Sequence, residues 1–201
     1  MFANHEIIPA PEETEPARGP AKWLQYLFYG HFASLILSLT GLFALDLAIT
    51  PWISRILIAA NAAFLYMLAS TGSRYRQAAI LTAVSLVLQI VSLYKLSSLL
   101  TTVSSVLTIV ACYKEFYAHA ELVAPKDQKL SRQWQKLFIW QFVIGIISGL
   151  VSVTAVVIMV LVNMEQTQIT QLIMSAIILV SLIPGILYLV YLRRTISLIQ
   201  E

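Results

Sequence analysis

Long apolar runs separated by short polar gaps set the pattern of this chain. A membrane-spanning helix needs about 20 mostly apolar residues. Six stretches qualify, near 23–45, 52–70, 77–94, 96–115, 136–162 and 170–192. Pro51 stands where the second span begins, where a missing N–H has no helical partner to lose. A single helix over 77–118 would run about 63 Å, roughly twice the hydrocarbon thickness. Tyr94, Lys95, Ser97 and Ser98 supply a tight turn that divides it in two. The pattern therefore predicts an all-α fold, a polytopic integral membrane bundle of six transmembrane helices over 23–192.

The gaps alternate between basic-rich and basic-poor. With the N-terminus inside, the inner segments carry Arg18, Lys22, Arg74, Arg76, Lys114, Lys126, Lys129, Arg132, Lys136, Arg193 and Arg194. The outer loops carry Arg55 and Lys95. Eleven bases against two satisfy the positive-inside rule for six spans and reject five, so both termini are expected to be cytoplasmic. Trp23, Trp134, Tyr188 and Tyr191 are expected in the inner aromatic belt, and Trp52 and Tyr94 in the outer one.

Residues 1–22 hold Glu6, Glu12, Glu13 and Glu15 among four prolines, with no apolar segment after a basic start. That excludes a signal peptide and predicts a disordered cytoplasmic tail. Residues 193–201 form a second tail. Residues 113–136 make the sizeable cytoplasmic loop. There Lys129, Arg132 and Lys136 share one helix face beside Leu130, Trp134 and Leu137, which predicts an interfacial helix whose bases meet anionic lipid headgroups or a partner.

Composition sharpens this picture. Apolar residues make up 59% of the 201 and charged residues 11%, against about 25% charged in soluble domains. The net charge of +3 is scattered over span ends without an aromatic-interleaved basic patch, so nucleic acid is not an expected partner. Cys112 is the sole cysteine, which rules out an intrachain disulfide and a cysteine zinc site. The expected location is a cell membrane, a prokaryotic plasma membrane.

Polar residues inside the spans fall into stripes. His31, Ser34, Ser38 and Gly41 share a face of span 1; Thr82, Ser85, Gln89 and Ser92 of span 3; Gln141, Gly145, Ser148 and Ser152 of span 5. Span 4 adds Ser97, Thr101, Ser104, Thr108 and Cys112, and Gly145 with Gly149 make a G-x-x-x-G. Such small and hydroxylated faces let helices approach and hydrogen-bond in lipid. Spans 1, 3 and 5 are thus expected to share the interior. Similar openings at Trp23, Arg74 and Trp134 suggest three stacked hairpins.

A candidate polar intramembrane site comprises His31, Gln89, Gln141 and Asn61. His31 is expected to hydrogen-bond a neighbouring helix at the depth of Gln141, since no carboxylate is expected deep in a span. Asn61 is expected to bond across a seam. Pro184-Gly185 should kink span 6, with Ser181 helping the carbonyl that proline strands. Asp46 and Arg55 are expected to pair at the outer loop. Tyr113, Phe116, Tyr117 and Ala120 have helical spacing, so span 4 is expected to continue as a helix past the membrane, where His119 and Glu121 lie near Glu115, too sparse for a metal. No catalytic motif and no cofactor signature stands in the sequence. The preferred reading is a non-catalytic accessory or assembly subunit with a membrane-protein partner or a second copy of itself. The alternative is a small solute-binding or transport protein with its site between spans 1, 3 and 5.

Overall fold

The computed structural model describes residues 18–42, 49–95, 97–162 and 168–201. These form α1 (Arg18–Leu42), α2 (Thr50–Met67) with a 3-10 turn at Leu68–Ser70, α3 (Ser73–Lys95), α4 (Ser98–Val123), α5 (Gln128–Val162) and α6 (Gln168–Gln200). No strand occurs among them. Five segments are long and apolar enough to cross a membrane: Thr50–Ser70, Ser73–Tyr94, Ser98–Val123, Gln128–Thr154 and Ser175–Gln200. Span 1 corresponds to α1, 25 residues long and not among these five, and its predicted end at 45 lies outside the described residues. Asp46 and most of the acidic tail also lie outside them.

Local chemistry explains the element ends. Pro51 occupies the first turn of α2. Ser97 caps α4, its Oγ accepting from the Leu100 N–H at 3.4 Å. At α5, the Asp127 carbonyl accepts from the Ser131 N–H at 3.1 Å, and its Oδ1 accepts from the Leu130 N–H at 2.9 Å. The carboxyl is held below its ordinary range chiefly by the Leu130 N–H, with Arg194 Nη2 donating to Oδ2 at 2.7 Å.

The helices pack in chain order, each on its sequence neighbours, and α6 closes the ring against α1. This corrects, for span 3, the expectation that spans 1, 3 and 5 share the interior: the α3 stripe packs on α4. Among the described residues no substantial packing joins α1, α3 and α5 to one another. The helical pairs α1–α2, α3–α4 and α5–α6 also pack on one another through α2 on α3, α4 on α5 and α6 on α1.

Packing is concentrated at one end. Leu24 and Leu27 of α1, Leu65 of α2 and Leu68 of the turn after it, Tyr75 and Ala78 of α3, Phe116 and Val123 of α4, Leu130 and Trp134 of α5, and Leu192 and Ile196 of α6 form one cluster. It collects the start of each odd helix and the end of each even one, so the helices alternate in direction. The bases of the predicted inner segments sit at this same end. Toward the other end the helices present large apolar side chains outward, such as Ile147, Leu150 and Val153 of α5 and Leu179 and Ile183 of α6. That surface suits hydrocarbon and would be costly in water.

The packed end changes several expectations. Trp134 and Tyr188 are buried in the core rather than placed in an aromatic belt, while Trp52 and Tyr94 are exposed. α6 continues through residue 200, because Thr195 and Ile196 fall on its buried face, so 193–201 is no free tail. α1 likewise begins at Arg18, inside the predicted tail, with Pro20 in a first turn that needs no N–H from it. The predicted interfacial helix is the first turns of α5 itself. Leu130, Trp134 and Leu137 face the core, and Lys129, Arg132 and Lys136 stand exposed on the other side.

Candidate functional site

Glu115, one turn before His119 on α4, is the centre of a buried polar cluster at the packed end. Tyr188 of α6 donates its hydroxyl to Glu115 Oε1 at 2.5 Å. His31 of α1 brings Nε2 to 3.3 Å from the same oxygen, without an aligned hydrogen bond. His119 Nε2 is 3.2 Å from Tyr188 Oη and 3.9 Å from Glu115 Oε1. Tyr75 Oη of α3 is 2.8 Å from His119 Nδ1.

Donor counting fixes the protons along this chain of bonds. Because Tyr188 gives its hydrogen to Glu115, its oxygen is free to accept from His119 Nε2–H. His119 Nδ1 then accepts from the Tyr75 hydroxyl. The sequence Tyr75, His119, Tyr188, Glu115 is satisfied with a neutral imidazole carrying its hydrogen on Nε2. Trp134 stacks on the His119 ring at 4.6 Å and donates Nε1–H to Thr195 Oγ1 at 3.1 Å, which locks the ring plane. His119, Tyr75 and Trp134 are almost fully buried, so water cannot repair a lost bond there.

The cluster is the floor of a cavity of about 520 Å³ between α1, α4, α5 and α6. Ser34 and Ser38 line it from α1, Cys112 and Phe116 from α4, Gln141 from α5, and Ser181 and Gly185 from α6. A second cavity of about 460 Å³ shares Cys112, Gln141 and Ser181 and continues between α4, α5 and α6 along Phe138, Phe142 and Pro184. The two cavities thus adjoin through three shared wall residues, the first with a polar floor and the second more apolar.

The four residues of the predicted site part company here. His31 and Gln141 line the same cavity but share no hydrogen bond, and the neighbours of His31 are Glu115 and Tyr188, with a ring distance of 4.3 Å to the latter. Gln89 lies in the α3–α4 seam, where its Nε2 donates to Ser85 Oγ at 3.3 Å. Ser85 in turn meets Thr108 Oγ1 at 2.6 Å and the Ser104 carbonyl at 3.1 Å, a packing seam of the kind expected. Asn61 is buried between α1 and α2 with Oδ1 unpaired, so the seam bond expected of it does not form. Ser181 Oγ donates to the Ile177 carbonyl at 2.8 Å and not to the carbonyl that Pro184 strands.

Glu115 and His119 stand together on the expected helical continuation of span 4, weighed from the sequence only as too sparse a metal cluster; their burial in a hydrogen-bonded centre is what the structure adds. The signal was present in the i, i+4 spacing of Glu115 and His119 and in Ala111, Ala118 and Ala120 around them, which allow close approach. Glu115 lies at the inner end of the predicted span 4 and inside the apolar helix Ser98–Val123. No group of three or more histidine, cysteine or acidic residues with metal-binding geometry occurs among the described residues.

No family model, curated protein or solved structure matches the chain.

Proposed function

We propose that the protein binds a small amphiphilic solute inside the bilayer, in the compartment above Glu115, and acts as a solute-binding or transport protein. The carrying observation is the 520 Å³ cavity floored by Glu115, His31 and Tyr188 and continuous in its walls with an apolar cavity. Concave, mostly apolar spaces with a few convergent polar groups are the usual form of ligand sites. A carboxylate within a span is costly unless it works for a ligand or a proton. Binding rather than catalysis is proposed, because the floor has no nucleophile aligned on a general base. The basic packed end is assigned to the cytoplasmic side by its lysines and arginines, in a cell membrane.

Native mass spectrometry of the gently extracted protein tests the reading. A bound small molecule, lost when Ser181→Trp fills the cavity, is the expected result. A ligand-free protein with an unchanged spectrum for Ser181→Trp contradicts it.

A second reading, the accessory subunit, is favoured by the free face of α5. A Cβ built on Gly145 or Gly149 would meet no atom within 4 Å, so this G-x-x-x-G is not closed by another helix among the described residues. Such a face suits a partner helix or a second copy. The same spectra would then show a stoichiometric protein companion, and Gly145→Leu with Gly149→Leu would release it.

A further inference from the structure

We propose that the solute is an organic cation, a protonated amine carrying an apolar body, with its ammonium at Glu115. The inference rests on the solute-binding reading and assigns the ligand class of that site.

Three observations converge on it. Glu115 is the one carboxylate among the residues lining either cavity, and no lysine or arginine lines them. Its cationic neighbours are limited to two imidazoles, and His119 is committed as a neutral donor and acceptor between Tyr188 and Tyr75. A buried carboxylate without a fixed cation is electrostatically incomplete, and a ligand charge completes it. The contacts from Tyr188, His31 and His119 all fall on Oε1, and none falls on Oε2. Oε2 is therefore the acceptor left for an incoming N–H.

The surroundings discriminate in the same direction. The rings of Tyr188, His31 and Phe116 border the floor, where a cation gains from aromatic faces and an anion does not. Gln141 and Ser181 stand at the junction of the two cavities and offer oxygen acceptors to a second N–H. The apolar cavity beyond takes a hydrocarbon or aromatic body. An anion at the same place would face the Glu115 carboxylate without a compensating base.

The test uses three probes on one phenylpropyl skeleton: 3-phenylpropylammonium, 3-phenylpropan-1-ol and 3-phenylpropionate. Binding to the full-length protein in lipid nanodiscs is followed by saturation-transfer NMR against protein-free nanodiscs. The expected result is an affinity for the ammonium at least about tenfold above that for the alcohol and the carboxylate, which is about 1.4 kcal/mol. In Glu115→Gln the ammonium should fall to the level of the alcohol while the alcohol binds as before, which also shows that the cavity is intact. Equal binding of the alcohol or the carboxylate in the native protein overturns the cation assignment and leaves the cavity reading standing. Binding of none of the three overturns both. The comparison of probes on the native protein decides the question even where Glu115→Gln does not fold.

Discussion

Replacing Tyr188 with Phe removes a single oxygen from the best-buried polar chain in the molecule. The ring stays, so the aromatic contacts with Trp134 at 5.2 Å and Phe116 at 5.4 Å persist and no large cavity opens. Two hydrogen bonds vanish together. Glu115 Oε1 loses the donor at 2.5 Å and keeps only His31 at 3.3 Å, which is poorly aligned. His119 Nε2–H loses its acceptor at 3.2 Å and has Glu115 Oε1 at 3.9 Å as the nearest substitute. A buried neutral group left unpaired costs about 1–3 kcal/mol, and an ionised one more. The sum is about 3 kcal/mol of unfolding free energy, reduced where Glu115 swings toward His119. Tyr75→Phe removes only one donor, to His119 Nδ1, and should cost about 1 kcal/mol. Unfolding free energies of both variants in bicelles, by steric trapping, measure the difference. Nitrogen-15 NMR of His119 adds an independent readout, with the hydrogen on Nε2 in the native protein. The reasoning fails if Tyr188→Phe is within about 0.5 kcal/mol of native, if Tyr75→Phe is the costlier change, or if His119 carries its hydrogen on Nδ1 alone.

Three further perturbations follow from the geometry. A Cβ on Gly30 would sit 2.0 Å from Asn61 Oδ1, far inside contact distance, so Gly30→Ala should destabilise by about 1–3 kcal/mol. In an Asn61→Ala background the same change should be neutral or gain about 0.5–1 kcal/mol from the better helix former, and equal costs in both backgrounds would disprove the contact. Asp127 has its carboxyl lowered below the usual value by the Leu130 N–H, so its contribution is present above the ordinary carboxylate range and is lost as pH falls through and below it. Native protein should therefore lose more thermal stability between about pH 5 and pH 3 than Asp127→Asn, which keeps the cap without the titration; parallel curves would refute this. Changing Lys129, Arg132 and Lys136 together to Gln removes three exposed bases worth about 1 kcal/mol each at an anionic surface. Anionic lipid retained in native mass spectra should drop in the triple variant and in high salt, and unchanged retention would mean that these bases only meet water.

Solvent choice was legible in the sequence, because it is a sum over local composition. Apolar runs of membrane length, Pro51 at a helix start, the Ser97 turn and the gathering of bases at one end of alternating helices each depend on nearby residues alone, and each stands in the structure. The hydroxyl stripes of Ser85 and Thr108 were legible for the same reason, as faces that fall on one side of their helices. The order of helices around the ring was not. A stripe marks a face without naming its partner: the stripes of α1 and α5 meet at one cavity through His31, Ser34, Ser38 and Gln141, whereas that of α3 packs on α4. The site was hidden for a related reason. Glu115 and His119 read as polar residues beyond a span, since hydropathy scores each residue without regard to what covers it. Their burial comes from Tyr75, Trp134, Tyr188 and His31, drawn from four other helices and placed there only once the packed end has formed. Sequence by itself determined that this chain is a helical membrane bundle and where its charges lie. Tertiary structure alone decided that a carboxylate, two imidazoles and two phenols meet, because hydrogen bonds between residues far apart in the chain exist only after the helices have chosen their neighbours.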